Sequence, residues 1–169
     1  DRLTESNTYR NDTITTVIAN VTKDAIKSKT LYAGSEGEEK AQTTYNYNYN
    51  ATTIKTVTEF IYTGDRLTES NTYRNDTLTM VIADVTKDAI KSKTLYAGNE
   101  GEEKAQTTYN YNYAATTIKT VTEFTYTGDR LTESNTYRND TITTVIANVT
   151  KDAIKSKTIY TGSEGEEKA

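Results

Sequence analysis

The sequence contains no cysteine, proline, histidine or tryptophan among its 169 residues. Without cysteine and histidine the chain has no disulfides, no thiolate or imidazole metal ligands, and no Ser-His-Asp or Cys-His catalytic grouping. Only 34% of the residues are hydrophobic, and no run approaches the roughly 20 apolar residues of a membrane-spanning helix. We therefore expect no catalytic activity, no catalytic residues, no metal, no cofactor and no membrane insertion by this segment.

The basic residues of the chain form no cluster. The chain has 20 basic and 24 acidic residues, which gives a net charge of -4. Nucleic-acid-binding domains carry basic patches that neutralise phosphates. The absence of such a cluster predicts no nucleic-acid partner.

A 64-residue repeat organises the chain. The segment that begins Asp-Arg-Leu-Thr-Glu-Ser starts at Asp1, Asp65 and Asp129, so the copies span 1–64, 65–128 and 129–169. Copies one and two differ at six positions, and copies one and three differ at two of the 41 positions they share. Such near-identity is usual in long surface and filament proteins and is hard to reconcile with the unique active site of an enzyme. The period predicts repeating units that stack on one another.

The ends of the chain fall at unusual places for a gene product. It begins on Asp1 without an initiator methionine and ends at Ala169, 41 residues into the third copy. We expect these residues to be a slice of a longer array, with any targeting signal outside them.

Turn-forming clusters of Gly, Asn and Asp separate runs rich in threonine, tyrosine and β-branched residues, which predicts strands. Their short connections predict antiparallel hairpins, and no segment keeps the apolar spacing of a helix. An odd number of strands per copy would make successive copies run in opposite directions, so an even number is favoured. A bend that divides the last predicted strand into two would give six strands per copy instead of five. The five predicted strands of the first copy are Arg2–Arg10, Thr13–Thr22, Ala25–Gly34, Lys40–Tyr49 and Thr52–Thr63.

The strands differ in how they divide between two faces. Lys40–Tyr49 alternates tyrosine with asparagine and threonine, whereas both faces of Thr13–Thr22 are partly apolar. A two-layered sandwich requires every strand to have one apolar face. The sequence therefore predicts an all-β fold in which tandem 64-residue repeats of antiparallel strands form one continuous twisted or spiral, solenoid-like sheet. Adjacent parts of the array or other chains would cover its exposed faces.

The junctions between copies carry a family resemblance. Residues 60–68 read Phe-Ile-Tyr-Thr-Gly-Asp-Arg-Leu-Thr, and residues 124–132 repeat this with one change. This resembles the Tyr-x-Tyr-Asp-x-x-Gly-Arg-Leu-Thr signature of the Rhs/YD-repeat family, although the Tyr-Asp dipeptide is missing and glycine precedes aspartate. The resemblance implies antiparallel strands wound into a spiral sheet, as in bacterial toxin shells and large cell-surface proteins of that family.

Two surface features offer ligand-binding chemistry, each with a simpler interpretation. A tyrosine ladder could stack sugar rings or bases, but such stripes more often pack within a sheet. The acidic loop with Glu36, Glu38 and Glu39 offers oxygen ligands for Ca²⁺, yet it lacks the spaced ligands of a calcium loop, which favours a solvated turn. The ladder comprises Tyr45, Tyr47, Tyr49, Tyr109, Tyr111 and Tyr113.

Glycosylation signals recur along the chain. Copy two replaces two N-linked acceptors with Asp84 and Ala114, which indicates that such glycans are dispensable. An Asp-Thr-apolar tripeptide, kept in all three copies, resembles a short bacterial O-glycosylation signal, although chance in a threonine-rich chain explains it more simply. The candidate O-linked residues are Thr13, Thr77 and Thr141, and the candidate N-linked residues are Asn11, Asn20, Asn50, Asn75, Asn139 and Asn148.

These observations lead to one expected function and one alternative. We expect a non-catalytic structural β-repeat of a bacterial extracellular filament or long cell-surface adhesin, with further repeats or identical chains as its main partner and glycans as a further candidate. The alternative is a segment of a Rhs/YD-type toxin-encapsulating shell or a carbohydrate-binding surface module.

Overall fold

The chain folds as an all-β protein in a computed structural model that describes residues 1–169. It has ten strands and no α-helix, and its only helical residues are three single 3₁₀ turns at Ile18–Asn20, Ile82–Asp84 and Ile146–Asn148. The all-β prediction is confirmed. Threonine, tyrosine, isoleucine and valine favour strands because their side chains pack well on a pleated surface.

The strands form one antiparallel sheet in which strand order follows chain order. The two edges of the sheet are therefore β1 and β10. In chain order the strands are β1 (Glu5–Tyr9), β2 (Ile26–Ala33), β3 (Lys40–Tyr47), β4 (Ile54–Thr63), β5 (Arg66–Arg74), β6 (Ala89–Ala97), β7 (Lys104–Tyr111), β8 (Ile118–Thr127), β9 (Arg130–Arg138) and β10 (Ile154–Ile159).

Each 64-residue period contains four strands. The bounds of β3, β4 and β5 recur 64 residues later as β7, β8 and β9. The prediction of five or six strands per copy is therefore wrong, and so is the predicted strand at Thr13–Thr22. The bend proposed within the last strand of the copy is also absent, because β4 runs unbroken from Ile54 to Thr63. Four is an even number, so successive copies run in the same direction along the sheet.

The segment predicted as the strand Thr13–Thr22 is part of a loop because its own side chains satisfy its backbone. Asn11 Oδ1 accepts from the backbone N–H groups of Thr13 and Thr22, both at 3.2 Å. Thr15 Oγ1 accepts from the N–H of Val17 at 3.0 Å. Short polar side chains that bind nearby backbone in this way compete with strand pairing. We call residues 10–25, 75–88 and 139–153 the first, second and third long loops.

The chain divides into two compact units, each with a very small apolar core. The first comprises Asp1–Phe60 and Thr72–Asp88, and the second comprises Ile61–Asn71 and Ala89–Ala169. Ile54 and Val57 of β4 are the buried apolar residues of the first unit, and Ile118 and Val121 of β8 are those of the second. Cohesion must therefore come largely from the sheet itself.

Threonine pairs run across the face opposite this core. Their hydroxyl oxygens lie 2.8–2.9 Å apart across neighbouring strands, and each such pair contributes roughly 0.2–1 kcal/mol to sheet stability. The pairs are Thr30 with Thr44, Thr58 with Thr72, Thr94 with Thr108, and Thr122 with Thr136.

Glycine is required where the chain turns between β2 and β3 and again between β6 and β7. Gly98 has φ +134°, and a Cβ added there would lie 2.5 Å from the carbonyl oxygen of Glu102. Gly34 has the same φ and meets the Glu38 carbonyl oxygen at 2.6 Å. No other residue fits these positions without moving the backbone of the acidic turn.

We predict that Ile118→Ala lowers the free energy of unfolding by about 2–5 kcal/mol, because it removes a fully buried side chain and leaves a cavity. Urea unfolding measures the change. The matched control is Ile142→Ala, which shortens a side chain that is 88% exposed and should cost less than about 0.5 kcal/mol. Equal losses for the two variants would contradict the location of the core.

Candidate interaction surface

A buried asparagine organises each of the second and third long loops. Asn139 is 3% exposed, and its Nδ2 donates to the carbonyl oxygens of Ile118 at 2.7 Å and Thr141 at 2.9 Å. Its Oδ1 accepts from the N–H of Thr150 at 3.0 Å and from the hydroxyl of Thr150 at 3.1 Å. All four hydrogen-bonding positions of the amide are thus used.

Asn75 makes the same bonds in the first unit. Its Nδ2 donates to the carbonyls of Ile54 at 2.8 Å and Thr77 at 2.9 Å, and its Oδ1 accepts from the N–H and hydroxyl of Thr86. We call Asn75 and Asn139 the loop asparagines. Each ties the loop that follows it to the first residue of a neighbouring strand.

An aspartate closes each long loop at its far end. Asp152 Oδ2 accepts from the Asp140 N–H at 2.8 Å and lies 2.7 Å from Thr150 Oγ1, whose one hydroxyl hydrogen is shared between Asp152 Oδ2 and the more distant Asn139 Oδ1. These bonds favour the carboxylate and hold the pKa of Asp152 below its ordinary value, with the Asp140 backbone contact as the larger cause. Asp24 and Asp88 have equivalent contacts, and the pKa of each is lowered for the same reason.

The third long loop lies against β8 and covers the core of the second unit. The Ile118 N–H donates to the Thr143 carbonyl at 2.8 Å, and the Asn139 N–H donates to the Lys119 carbonyl at 3.0 Å. Lys151 Nζ lies 2.7 Å from Glu123 Oε1. A small recess between loop and sheet is lined by Tyr109, Val121, Glu123, Ile146, Val149 and Lys151.

The second long loop covers β4 in the same manner. The Ile54 N–H donates to the Thr79 carbonyl at 2.8 Å, and the Asn75 N–H donates to the Lys55 carbonyl at 3.0 Å. Lys87 Nζ lies 2.5 Å from Glu59 Oε1. Loop and strand therefore meet through two backbone hydrogen bonds and an ion pair in both units.

The first long loop covers no strand, because β1 is an edge of the sheet. Its apolar residues Ile18 and Val21 are 89% and 49% exposed. Their counterparts in the other two loops are only half-exposed or less, since a strand lies beneath them; these are Ile82, Val85, Ile146 and Val149. Asn11, the counterpart of the loop asparagines, is exposed.

The tips of all three long loops present an apolar residue to solvent. Ile14, Leu78 and Ile142 are 104%, 81% and 88% exposed. Their exposure does not depend on whether the loop covers a strand. The long loops were not predicted, because their residues have the composition of a strand; the Asn-Asp-Thr and Thr-Lys-Asp clusters on either side of each loop are the signal for them.

The predicted tyrosine ladder is divided between two environments. Tyr45 and Tyr47 lie opposite Val57 and Ile54 across the strand pair, and Tyr109 and Tyr111 lie opposite Val121 and Ile118. These four pack in the sheet and are half-buried. Tyr49 and Tyr113 follow the ends of their strands and are 69% and 70% exposed.

The candidate glycosylation residues also separate by environment. Asn75 and Asn139 are buried, and both hydrogens of the amide nitrogen that would carry an N-glycan are already donated. Asn11, Asn20, Asn50 and Asn148 are exposed. The candidate O-linked hydroxyls of Thr13, Thr77 and Thr141 bond to the hydroxyls of Thr22, Thr86 and Thr150.

The acidic turns contain a structural contact that the sequence did not reveal. Glu39 Oε1 accepts from the Leu3 N–H at 2.8 Å, and this backbone contact is the largest cause of the lowered pKa of Glu39. Glu103 accepts from Leu67, and Glu167 accepts from Leu131. No group of three or more acidic side chains is arranged to hold a metal ion.

No protein-family model and no curated protein sequence matches the chain. None of its helical segments is long and apolar enough to cross a membrane. The chain is thus an all-β protein in which the second and third long loops each cover a neighbouring strand.

We predict that Asn139→Ala lowers the free energy of unfolding by about 2 kcal/mol or more, because it leaves buried backbone groups without partners. Asn11→Ala is the matched control, since Asn11 is exposed and contacts no strand, and it should cost much less. Denaturant unfolding compares them. Equal losses of unfolding free energy in the two variants would show that the contact between Asn139 and β8 does not stabilise the fold.

We predict that acid destabilises the long loops. A carboxylate whose pKa is lowered on folding stabilises the folded state above its unfolded pKa, and this stabilisation is lost as pH falls through the folded value. Thermal unfolding followed from neutral pH to below about pH 4 should therefore show a falling Tm, and a flatter dependence in the Asp88→Asn, Asp152→Asn double variant.

The control for this pH dependence is Asp84→Asn, because the first and third copies already carry asparagine at this position, as Asn20 and Asn148. It should leave the pH dependence of Tm unchanged. A double variant that follows the unmodified protein at every pH would rule out a role for the two aspartates.

Proposed function

We propose that the protein is a structural β-repeat of a bacterial extracellular filament or long cell-surface adhesin, and that it has no catalytic activity. Its main partner is further copies of the same repeat. One observation carries this proposal: in copies one and two, the buried apolar side chains are covered by a loop of the following copy.

The covering contact crosses the boundary between copies. Ile54 and Val57 belong to copy one, whereas the second long loop, residues 75–88, belongs to copy two. Ile118 and Val121 of copy two lie in turn beneath the third long loop, which belongs to copy three. A single copy has no such cover for its own buried residues, so the arrangement favours an extended array over independent domains.

The equivalence of the contacts supports indefinite extension. The strand-to-loop hydrogen bond between the first core isoleucine and the loop threonine is 2.8 Å in both units. The four strands of a copy return the chain to the same direction, so another copy can be added without changing any contact. A long, repetitive, mechanically continuous sheet suits a filament or a stalk at a cell surface.

On the resemblance to Rhs/YD repeats, we extend this proposal to a sheet that winds into a spiral. A spiral sheet in a bacterial surface protein would keep every loop-on-strand contact while turning successive copies about an axis. In the alternative function, a toxin-encapsulating shell, the same sheet would close around an internal space that holds the toxin.

Lengthened arrays test the proposal. Additional copies of residues 65–128 are inserted between copies two and three, and the particles are measured by electron microscopy and small-angle scattering. With neighbouring strands about 4.7–4.9 Å apart, four more strands should lengthen the particle by about 19 Å per copy along the sheet, or along its contour if the sheet winds.

A shell gives a different result, because added copies would enlarge a closed particle around an internal space. Hollow, rounded particles would contradict the filament proposal. Flexibly linked compact beads, one per copy, would contradict both the filament and the shell.

A further inference from the structure

We propose that Lys93 and Asn71 join through an intramolecular isopeptide bond, which forms between the lysine amine and the asparagine carboxamide with Glu69 as the proton carrier. The bond links the neighbouring strands β5 and β6 covalently. It forms once per chain, so it is a self-modification and not a turnover activity. The inference goes beyond the proposed function and does not depend on it.

The register of the sheet places a lysine beside this asparagine. Asn71 lies on β5 and Lys93 on β6, and these strands are neighbours. In the equivalent pair of β9 and β10, Asn135 lies directly opposite Lys157. Side chains directly opposite each other start about 4.5–5.5 Å apart at their Cβ atoms, a span that the flexible four-carbon stem of lysine covers. The amine and the carboxamide can therefore meet without any change in the backbone.

One carboxylate oxygen holds both reacting groups. Glu69 Oε1 lies 2.8 Å from Lys93 Nζ and accepts a hydrogen bond from Asn71 Nδ2 at 2.6 Å. Glu69 precedes Asn71 by two residues, so both side chains lie on the same face of β5. Attack by an amine requires a proton acceptor in contact with the nucleophile, and Glu69 is in that position.

The carbonyl of the same asparagine has no partner. Asn71 is 6% exposed, and its Oδ1 is buried without a hydrogen bond. The Oδ1 of Asn135, its counterpart in copy three, is also buried and unpaired, while its Nδ2 donates to Glu133. Buried polar atoms are nearly always paired, and an exception calls for an explanation such as a reactive role. A purely structural ion pair does not explain this unpaired oxygen.

The proposed reaction supplies the missing partner. The Lys93 ammonium gives one proton to Glu69, and its neutral Nζ attacks Cγ of Asn71. The Nζ–Cγ bond forms, the Cγ–Nδ2 bond breaks, and Nδ2 leaves as ammonia with a proton taken from the attacking nitrogen. Glu69 is left as a neutral carboxylic acid whose O–H donates to Asn71 Oδ1. An ion pair and an unpaired carbonyl are thus replaced by an amide and a neutral hydrogen bond, and no oxidant or co-reactant is needed.

Copy two encloses this grouping more than the other copies do. The side chains of Lys93 and Glu69 are 23% and 21% exposed, whereas Lys157 in copy three is 50% exposed and Asn7 in copy one is exposed. Tyr109 of β7 lies opposite Lys93 on its other side. Exclusion of water keeps it from competing with the amine for the amide carbon. The bond is therefore assigned to copy two.

Mass spectrometry of the purified full-length chain tests the bond. We expect an intact mass lower than the sequence mass by one ammonia, and a branched peptide after protease digestion that joins Asn71 to Lys93. Lys93→Arg retains the positive charge but lacks the primary amine, so it should restore the sequence mass. Glu69→Gln removes the proton acceptor and should also restore it.

Lys91→Arg is the matched control, because Lys91 lies on the same strand and is exposed. This variant should keep both the loss of ammonia and the branched peptide. Ring closure of Asn71 to a succinimide also releases ammonia, but that loss would persist in Lys93→Arg. Persistence of the loss in Lys93→Arg would therefore contradict the proposal.

A second measurement uses the unmodified chain, so it does not depend on whether a variant folds. The protein is denatured, and its primary amines are labelled with an acylating reagent before digestion. Lys93 should resist labelling, whereas Lys91 should be labelled. An intact mass equal to the sequence mass, together with complete labelling of Lys93, would overturn the proposal.

Discussion

Cover of one strand by a loop from the next copy is the constraint on which the rest of this structure depends. β4 and β8 contribute the only fully buried apolar side chains, two from each strand. These side chains belong to copies one and two, and residues of the following copy lie over them. The second and third long loops supply the missing layer, and the fold of each copy therefore includes part of its neighbour.

Hydrogen bonds of polar side chains hold the second and third long loops in the conformation that covers the apolar core. The loop asparagines satisfy four backbone or hydroxyl groups each, and the aspartates at the far end close the loop on itself. The ion pairs between loop lysines and strand glutamates are partly exposed and contribute little energy individually. Their larger effect is on alignment, since they fix which loop residue faces which strand residue.

Most strands could be predicted from the sequence, because the residues that favour a strand and the turns that end it lie next to one another in the chain. The strand predicted at Arg2–Arg10 recurs, shifted by the 64-residue period, as the observed β5 and β9. Strand propensity gave a wrong prediction at Thr13–Thr22, where the side chains of Asn11 and Thr15 accept backbone hydrogen bonds that a partner strand would otherwise accept. Cover by adjacent parts of the array or by other chains was expected, but the loop and the strand that meet could not be predicted, because they belong to different copies and nothing in the pattern of one copy specifies their pairing.

The covering always runs in one direction, from the later copy onto the earlier one. During synthesis, copy one is complete at residue 64, yet the loop that covers its core ends at residue 88. The core of copy one can therefore close only after about a third of copy two has been synthesised. The same order holds for copy two, because Ile118 and Val121 precede the loop that covers them, which ends at residue 153.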